Sequence, residues 1–374
     1  MNRSEQESRE IEGGSFLVGT LPLGCALCTK GSKMVLFVTG LCESSCYYCP
    51  LSQEKSGQDV IFADEVPVTD DSDILLEAQA IRSEGAGISG GDPLCDLERT
   101  LRYMKLLKET YGPSFHLHLY TSQTDASDEV LIKLRDAGLD EIRFHPQTSD
   151  WSGIQRAVDL GMTVGLEVPA IPGKQDDLKK LAIRAEELGV SFLNINELEA
   201  SETNFEKLVS MGMRLTSLES SSIEGSASAA REVLEWSREG LQHLSVHFCS
   251  ARFKDSVQMR RRLERRLEQT IREFEERDEQ DPLLILGVIR AVHGRKLERG
   301  QLEIIHTTLQ DQFDVPTDLM NIDETRNRVE VAPWVIEKIS AQIRESLADI
   351  NGLEIGIAFE YPTWDRLQTL FNPL

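Results

Sequence analysis

The sequence predicts an α/β protein with a partial (β/α)6 barrel of parallel strands and a small C-terminal α/β appendage. From Lys33 to Ser201, strand-like apolar segments alternate with amphipathic segments at the spacing of βα units. From about residue 281, the pattern changes to short mixed elements. The predicted domains are an N-terminal segment with a Cys-x-x-Cys pair, the barrel, a long charged helix and the appendage, at 1–32, 33–250, 251–280 and 281–374.

Each βα unit has its own signals in the sequence. Ser72 and Ser127 stand where N-caps are expected, and Gly138, Gly161 and Gly189 stand where helices would end. The carboxyl ends of the strands should lie on one side of the barrel and display functional side chains there. Predicted strands are 34–39, 86–89, 115–121, 140–145, 162–169 and 191–196, with a further strand at 241–249. Predicted helices are 73–84, 96–110, 128–137, 174–189 and a charged helix from Asp255 to Glu279.

Three cysteines, Cys42, Cys46 and Cys49, follow the first predicted strand. Thiolates at this spacing can hold an iron-sulfur cube and leave its fourth iron without a protein ligand. Zinc would normally take a fourth protein ligand, and an odd triplet within eight residues does not suit a disulfide framework. The motif therefore favours an iron-sulfur cluster with one open iron, and a partial zinc site is the alternative.

A glycine-rich turn, Ser89-Gly90-Gly91-Asp92-Pro93, follows the second predicted strand. Glycines allow the backbone to approach a ligand closely. Gly91 can offer a carbonyl and Asp92 a carboxylate to an ammonium group. The turn therefore predicts a contact with a bound amino group.

Together these motifs resemble those of the radical SAM superfamily. The resemblance implies that Cys42, Cys46 and Cys49 hold a 4Fe-4S cluster and that the open iron binds S-adenosylmethionine. It implies that Tyr48 packs near the adenine. It also implies that the turn at Gly90, Gly91 and Asp92, with Asp in place of the family's Glu, contacts the methionine amino group.

Polar side chains at the predicted strand ends are further candidates for binding S-adenosylmethionine. They are Thr121, Ser122, Arg143, His145, Glu167, Asn194 and Asn196. Under the resemblance, Ser122 and Glu167 would contact the cofactor, and Arg143 would pair with its carboxylate. Ile171, in an apolar turn after the fifth strand, would touch the adenine.

The resemblance implies reductive cleavage of S-adenosylmethionine to a 5'-deoxyadenosyl radical, with an unknown small molecule, peptide or RNA as substrate. It implies a low-potential electron donor such as ferredoxin or flavodoxin. Overall the chain is similar to an archaeal group related to pyruvate formate-lyase activating enzymes. Activation of a glycyl-radical enzyme, modification of RNA or a peptide and a step in cofactor biosynthesis remain open, as does an electron-transfer protein without turnover.

A second set of possible metal ligands is Cys25, Cys28, His247 and Cys249. With His247 the set suits zinc or a mononuclear iron; without it, three thiolates suit an auxiliary iron-sulfur cluster. The alternative is that Cys249 is a core cysteine and the pair is unrelated to it. Cys95 is interpreted as a small packed hydrophobe.

Composition restricts the partners and the surroundings. The net charge is −23, from 63 acidic and 40 basic residues, which suits a halophilic source or simply an acidic enzyme. Nonspecific nucleic-acid binding is disfavoured because it needs surplus Lys and Arg. The arginine-rich stretch from Arg260 to Arg266 is interpreted as a solvated helix with i to i+4 ion pairs, and a basic strip for an anionic substrate or RNA is the alternative. No apolar run is long enough for a membrane span, so we expect a cytoplasmic protein.

Overall fold

Seven parallel strands form the centre of the first and larger sheet. The computed structural model describes residues 8–374. The sheet has eleven strands in the order β1-β2-β11-β10-β9-β8-β7-β6-β3-β4-β5, and β3, β6 to β11 are the parallel ones. Its strands are β1 Arg9–Ile11, β2 Ser15–Val18, β3 Lys33–Phe37, β4 Phe62–Ala63, β5 Val66–Pro67, β6 Gly85–Ser89, β7 His116–Thr121, β8 Glu141–Phe144, β9 Thr163–Ala170, β10 Phe192–Glu197 and β11 Ser245–Cys249.

The predicted α/β class with parallel strands is confirmed, and the sheet contains one parallel strand more than the six predicted. The strand predicted at 241–249 is β11, which pairs with β10 so that Cys249 lies beside Asn196. Leu117, Ile142 and Leu166 are wholly buried. Central strands of this kind are covered on both faces, so their sequences are runs of apolar residues.

The edges of the parallel set are completed by antiparallel strands. β4 pairs with β3 at one edge, and β2 pairs with β11 at the other. Among the described residues no pairing joins β3 to β11, so the sheet is open. Two neighbouring arginines bridge its edges: Arg261 pairs with Glu12 beyond β1 at 2.6 Å, and Arg262 pairs with Asp64 between β4 and β5, also at 2.6 Å.

Helices connect the parallel strands. Ser127 caps its helix as predicted, accepting from the Val130 N–H at 3.4 Å. Ser72 is not a cap: Asp70 is, because its carboxylate accepts from the Ser72 N–H and the Asp73 carboxylate accepts from the Asp70 N–H. The helices are α1 Leu23–Thr29, α2 Asp71–Ala80, α3 Leu97–Tyr111, α4 Asp128–Asp136, α5 Ser152–Asp159, α6 Gln175–Glu187, α7 Phe205–Ser210 and α8 Ser226–Gly240.

The charged helix after β11 ends at Thr270, earlier than the predicted Glu279. It consists of α9 Ala251–Phe253, a π-helical turn Lys254–Met259 and α10 Arg260–Thr270. The next residues turn back, with the Glu275 N–H donating to the Arg272 carbonyl, and enter a strand. A helix cannot continue where the backbone joins a sheet. Arg261 and Arg262 pair with Glu12 and Asp64, which are distant in sequence, so these two pairs differ from the predicted i to i+4 pairs.

The chain divides into two compact units, of which the first ends at Arg262 and the second is Leu263–Leu374. The second unit is α/β with an antiparallel sheet in the order β14-β15-β13-β16-β17, and β12 pairs with β13. Ile289, Val329, Ile336 and Ile355 are in its core. Its elements are β12 Glu276–Arg277, β13 Leu284–Ala291, α11 Arg299–Phe313, β14 Met320–Asp323, β15 Arg328–Val331, α12 Pro333–Ser346, β16 Leu353–Glu360 and β17 Gln368–Pro373.

None of the helices between residues 8 and 374 has the length and apolar character needed to cross a membrane. Residues 1–7 of the predicted N-terminal segment lie outside the described residues.

A buried ion-pair network holds the sheet of the second unit. Glu330 accepts from Arg328 at 2.7 Å and from the Asn321 amide at 3.0 Å, and Arg272 pairs with it as well. Burial opposes ionisation of Glu330, but these partners outweigh it and lower its pKa from 4.5 to about 2. The carboxylate is therefore charged in the folded unit at any pH above about 2.

We expect Glu330→Gln to flatten the acid side of the stability profile. Between pH 4.5 and about 2 the unfolded chain binds a proton at Glu330 that the folded chain does not. The free energy of unfolding therefore falls as pH falls through this window, by up to about 3 kcal/mol. Denaturant unfolding across this range measures the slope, with Glu303→Gln on the exposed side of α11 as the control. An unchanged slope in Glu330→Gln contradicts the assignment.

Candidate active site

A single cavity of about 690 Å³ in the first unit is lined by both sets of cysteines. The thiols of Cys42, Cys46 and Cys49 reach it from the loop after β3. The lining also includes three further cysteines, which are Cys25, Cys28 and Cys249. The sheet thus gathers six of the seven cysteines around one space.

The loop that carries Cys42, Cys46 and Cys49 has little regular structure, and its thiols remain accessible. Cys42 is exposed, and Cys46 and Cys49 are partly exposed. Burial raises the pKa of the Cys46 thiol, and the nearby Cys49 and Cys42 add to the rise. The three thiols are therefore close enough to influence one another and open enough to be reached from the cavity.

Tyr48 is fixed by a chain of hydrogen bonds. The His145 Nδ1–H donates to the Glu167 carbonyl at 2.7 Å, and burial lowers the pKa of His145, so its ring is neutral near pH 7. Its Nε2 is then free to accept from the Tyr48 hydroxyl at 3.0 Å. The Gln147 amide donates to the same hydroxyl at 2.9 Å. His145, a candidate as a strand-end residue, is thus a positioning residue for Tyr48.

The turn at Gly90 and Gly91 docks the cysteine loop onto the sheet. The Gly91 N–H donates to the Thr39 carbonyl at 2.8 Å, and the Asp92 N–H donates to the Leu41 carbonyl at 2.8 Å. A Cβ atom on Gly91 would lie 2.4 Å from the Leu41 carbonyl oxygen. Within residues 8–374, no hydrogen bond uses the carbonyl oxygens of Gly90 and Gly91, and both glycines line the cavity.

Asp92 points away from the cavity, contrary to its predicted role as an amino-group ligand. Its carboxylate is 1% exposed and accepts from the Leu94 N–H at 3.0 Å and the Thr121 hydroxyl at 3.0 Å. It also accepts from the N–H and the hydroxyl of Ser122, both at 2.8 Å. A carboxylate with this many donors is fully used inside the protein. Asp92 therefore positions Ser122, which lines the cavity.

Arg143 is also committed inside the protein, although it was predicted to pair with the cofactor carboxylate. Its side chain is 1% exposed, and its guanidinium binds Glu141 and, at 2.8 Å, Glu167. The remaining nitrogen donates to the Cys25 sulfur at 3.4 Å. Burial opposes ionisation of Glu167, but Arg143 and the Asn196 amide outweigh it and keep its pKa below the usual value. Arg143 thus holds the carboxylate of Glu167 at the cavity wall.

Ile171 is not among the residues that line the cavity. The apolar wall at the end of β9 is made by Val168 and Pro169. The β9 strand extends to Ala170, so the turn that contains Ile171 begins beyond the cavity. The prediction of Ile171 as an adenine contact is therefore not supported by its position.

The structure brings Cys25, Cys28 and Cys249 together, and His247 lines the same cavity. Cys28 and Cys249 pack in one cluster with Phe253. The buried His247 ring is 2.6 Å from the Asn194 amide oxygen, to which its Nδ1–H donates. Burial lowers the pKa of His247 to about 4. Among the described residues, no three side chains of His, Cys, Asp or Glu are placed to hold one metal ion, so a single zinc or iron on this set is not supported.

The absence of a single-ion site among the described residues does not exclude iron-sulfur clusters. Each cysteine of a cube binds a different iron, so its thiols surround the cluster instead of meeting at one point. The donors on the cavity wall at Cys42, Cys46 and Cys49 are soft sulfur ligands, which suit iron-sulfur clusters. The donor set of this wall therefore fits a 4Fe-4S cluster.

Comparison with known proteins identifies the family. The model of the radical SAM superfamily matches residues 36–164. A Methanocaldococcus jannaschii protein, MJ0021, is 33% identical over 366 residues, which is 95% of this chain and 93% of that protein. The chain belongs to the radical SAM superfamily. Its second unit matches a domain of unknown function, DUF8061, at residues 283–374.

Solved structures are similar over part of the chain. Streptococcus suis SuiB bound to S-adenosylmethionine is 10% identical, with a TM-score of 0.41, and the match covers 59% of this chain and 50% of that one. Escherichia coli coproporphyrinogen III oxidase (HemN) is 13% identical, with a TM-score of 0.37, covering 69% and 63%.

Membership of the radical SAM superfamily makes the chain an enzyme with a 4Fe-4S cluster and S-adenosylmethionine as cofactors. When bound, these cofactors supply a 5'-deoxyadenosyl radical through one-electron cleavage of the sulfonium carbon-sulfur bond. The protein's own contribution is to position the reacting groups and to exclude water.

We expect Asp92→Ala to destabilise the first unit and to disturb Ser122. The change leaves buried donors of Thr121 and Ser122 without an acceptor, which costs about 1–3 kcal/mol for each unsatisfied group. Denaturant unfolding gives the loss. Asp71→Ala is the matched control, since Asp71 forms only an exposed ion pair with Arg102 and should cost less than about 1 kcal/mol. Equal effects of the two changes contradict the buried role of Asp92.

Proposed function

We propose that Cys42, Cys46 and Cys49 hold the 4Fe-4S cluster and that S-adenosylmethionine occupies the adjoining cavity. The observation that carries this proposal is that these three thiols line the same cavity as Gly90 and Gly91. In that arrangement, sulfur ligands for iron and free backbone carbonyls for an ammonium group face one space.

The contacts with S-adenosylmethionine follow from which groups remain available in the cavity. The carbonyl oxygen of Gly91 is the better acceptor for the methionine ammonium, because the Asp92 carboxylate is already used. Tyr48, held by His145 and Gln147, presents its ring beside the cluster ligands for the adenine. Ser122 offers a hydroxyl that Asp92 orients.

Glu167 is proposed as a second polar contact on the cavity wall. Its carboxylate is kept ionised by Arg143 and held by the Asn196 amide at 2.9 Å. An ionised carboxylate accepts hydrogen bonds readily from ribose hydroxyls. Arg143 acts through Glu167 and is a positioning residue.

A polypeptide is the substrate class we propose. MJ0021 carries a name that proposes activation of a glycyl-radical enzyme, and such an activity acts on a protein. A cavity of about 690 Å³ is of the size that holds a small ligand, so it suits a cofactor with a side chain or a short peptide loop. A low-potential donor such as ferredoxin or flavodoxin would supply the electron.

RNA is the less favoured substrate class. The net charge of −23 opposes phosphate binding. In the charged helix, Arg261 and Arg262 are already paired with carboxylates. The same charge, together with the archaeal relative, supports an archaeal and halophilic source. Iron-sulfur chemistry and free cysteines support a reducing, cytoplasmic setting.

We expect the reduced, reconstituted protein to convert S-adenosylmethionine to 5'-deoxyadenosine and methionine, and Cys46→Ala to lose this activity. Removing one of the three thiolates leaves the cluster with only two protein ligands. Chromatography of the anaerobic reaction measures the products. Cys95→Ala is the matched control, because Cys95 does not line the cavity and should leave turnover unchanged. Equal product from Cys46→Ala and the wild type contradicts the proposed ligand set.

A deuterium-transfer experiment tests the substrate class. We expect 5'-deoxyadenosine to gain deuterium when the enzyme acts on the macromolecular fraction of cells grown in deuterated medium. Transfer should survive ribonuclease treatment and be lost after protease treatment, as measured by mass spectrometry. Transfer that resists protease and disappears with ribonuclease points to RNA and contradicts a polypeptide substrate.

A further inference from the structure

Cys25, Cys28 and Cys249 are brought together by the antiparallel strand that precedes α1. β2 pairs with β11, so the chain before α1 runs beside the strand that ends at Cys249. The α1 helix then carries Cys25 and Cys28, which are 6% and 9% exposed, to the cavity wall. Three thiols from near the beginning and near the end of the sequence of the first unit therefore share one part of the cavity.

Each of these thiols has a cation beside it. The Arg143 guanidinium donates to the Cys25 sulfur at 3.4 Å. The ammonium of Lys33 lies next to Cys28, and that of Lys254 lies next to Cys249. Thiolates gain electrostatic stabilisation from adjacent cations, whereas neutral core thiols do not need them. Burial favours the neutral form of Cys25 and Cys249, so the three cations would act chiefly on sulfurs that a metal holds as thiolates.

Lys33 is a buried cation in this group. It is 5% exposed, and its ammonium lies 3.3 Å from both the His118 ring and the Tyr120 hydroxyl. Both groups are neutral hydrogen-bond partners. A buried ammonium is costly unless an anion is near, and the Glu167 carboxylate is close enough to interact with the charge of Lys33. The Cys28 sulfur lies beside Lys33 as well. Arg143 and Lys254 pair with Glu167 and Glu199.

The π-helical turn after β11 adds an independent sign of function. Lys254 and Gln258 lie on this turn, and both line the cavity. Turns of this type often occur at functional sites, because the extra residue redirects side chains. Here Lys254 from the turn lies near Cys249, and Gln258 lines the same cavity.

We propose that Cys25, Cys28 and Cys249 hold a second iron-sulfur cluster, with its open iron facing the shared cavity. His247 lines the same cavity, with its Nδ1–H donating to Asn194. Among the described residues, no three side chains of His, Cys, Asp or Glu are placed to hold a single metal ion, so the thiolates are the donors of this proposal. Structural zinc takes four ligands in a closed site, whereas a cube can keep one iron open. The three cations offset the negative charge of such a cluster. The inference does not depend on how Cys42, Cys46 and Cys49 act.

The test is the metal content of the full-length Cys42→Ala, Cys46→Ala, Cys49→Ala variant after anaerobic reconstitution. We expect it to retain about four iron and four sulfide per chain, against about eight of each in the wild type. Electron paramagnetic resonance of the reduced variant should show an iron-sulfur signal. Adding Cys25→Ser, Cys28→Ser and Cys249→Ser should remove both the iron and the signal.

Thiol alkylation gives a second measurement that needs no change at the buried cysteines. In the triple alanine variant, reconstitution should protect the partly exposed Cys249 from iodoacetamide and leave the partly exposed Cys95 reactive, as read by mass spectrometry. The proposal is overturned if the triple alanine variant holds no iron, holds zinc in its place, or leaves Cys249 unprotected. The cleavage assay on the wild type separately tests the proposed function.

Discussion

A short run of backbone hydrogen bonds beyond the ends of β3 and β6 determines where the chemistry can occur. The Val38 N–H donates to Ser89, and the turn that follows donates back to Thr39 and Leu41, each at 2.8 Å. Glycine is required at position 91, because a side chain would collide with the Leu41 carbonyl. Since Cys42 follows Leu41 directly, the same bonds that continue the sheet also place the first thiol at the cavity.

Buried charge in the first unit serves to orient side chains. Arg143 fixes the carboxylate of Glu167, the Glu167 carbonyl accepts from His145, and His145 accepts from Tyr48. A buried ion pair contributes little net stability, since desolvation offsets much of the attraction, but losing one partner leaves an unpaired charge. The contacts from Arg143 to Tyr48 therefore link the interior of the sheet to the cysteine motif, since Tyr48 directly precedes Cys49.

The sequence was sufficient for features that depend on local spacing, and insufficient for those that depend on side-chain direction. The cysteine triplet, the alternation of strands and helices and the glycine turn are all local patterns. The direction of Asp92 depends on donors from Thr121 and Ser122 on the neighbouring strand, which spacing cannot reveal. Lys33 and Lys254 were missed for the same reason. Lys33 stands directly before the predicted strand 34–39, and the structure makes it the first residue of β3.

The helical segment after β11 explains how an open sheet can enclose a radical reaction. Arg261 pairs with Glu12 at one edge of the sheet, and Arg262 pairs with Asp64 at the other. Arg261 also donates to the Thr29 carbonyl at the end of α1. Residues from the π-helical turn line the cavity just before these contacts. A reactive intermediate must be kept from water. This segment covers the open side of the sheet, where no strand pairing within residues 8–374 closes it. The first unit accordingly extends to Arg262.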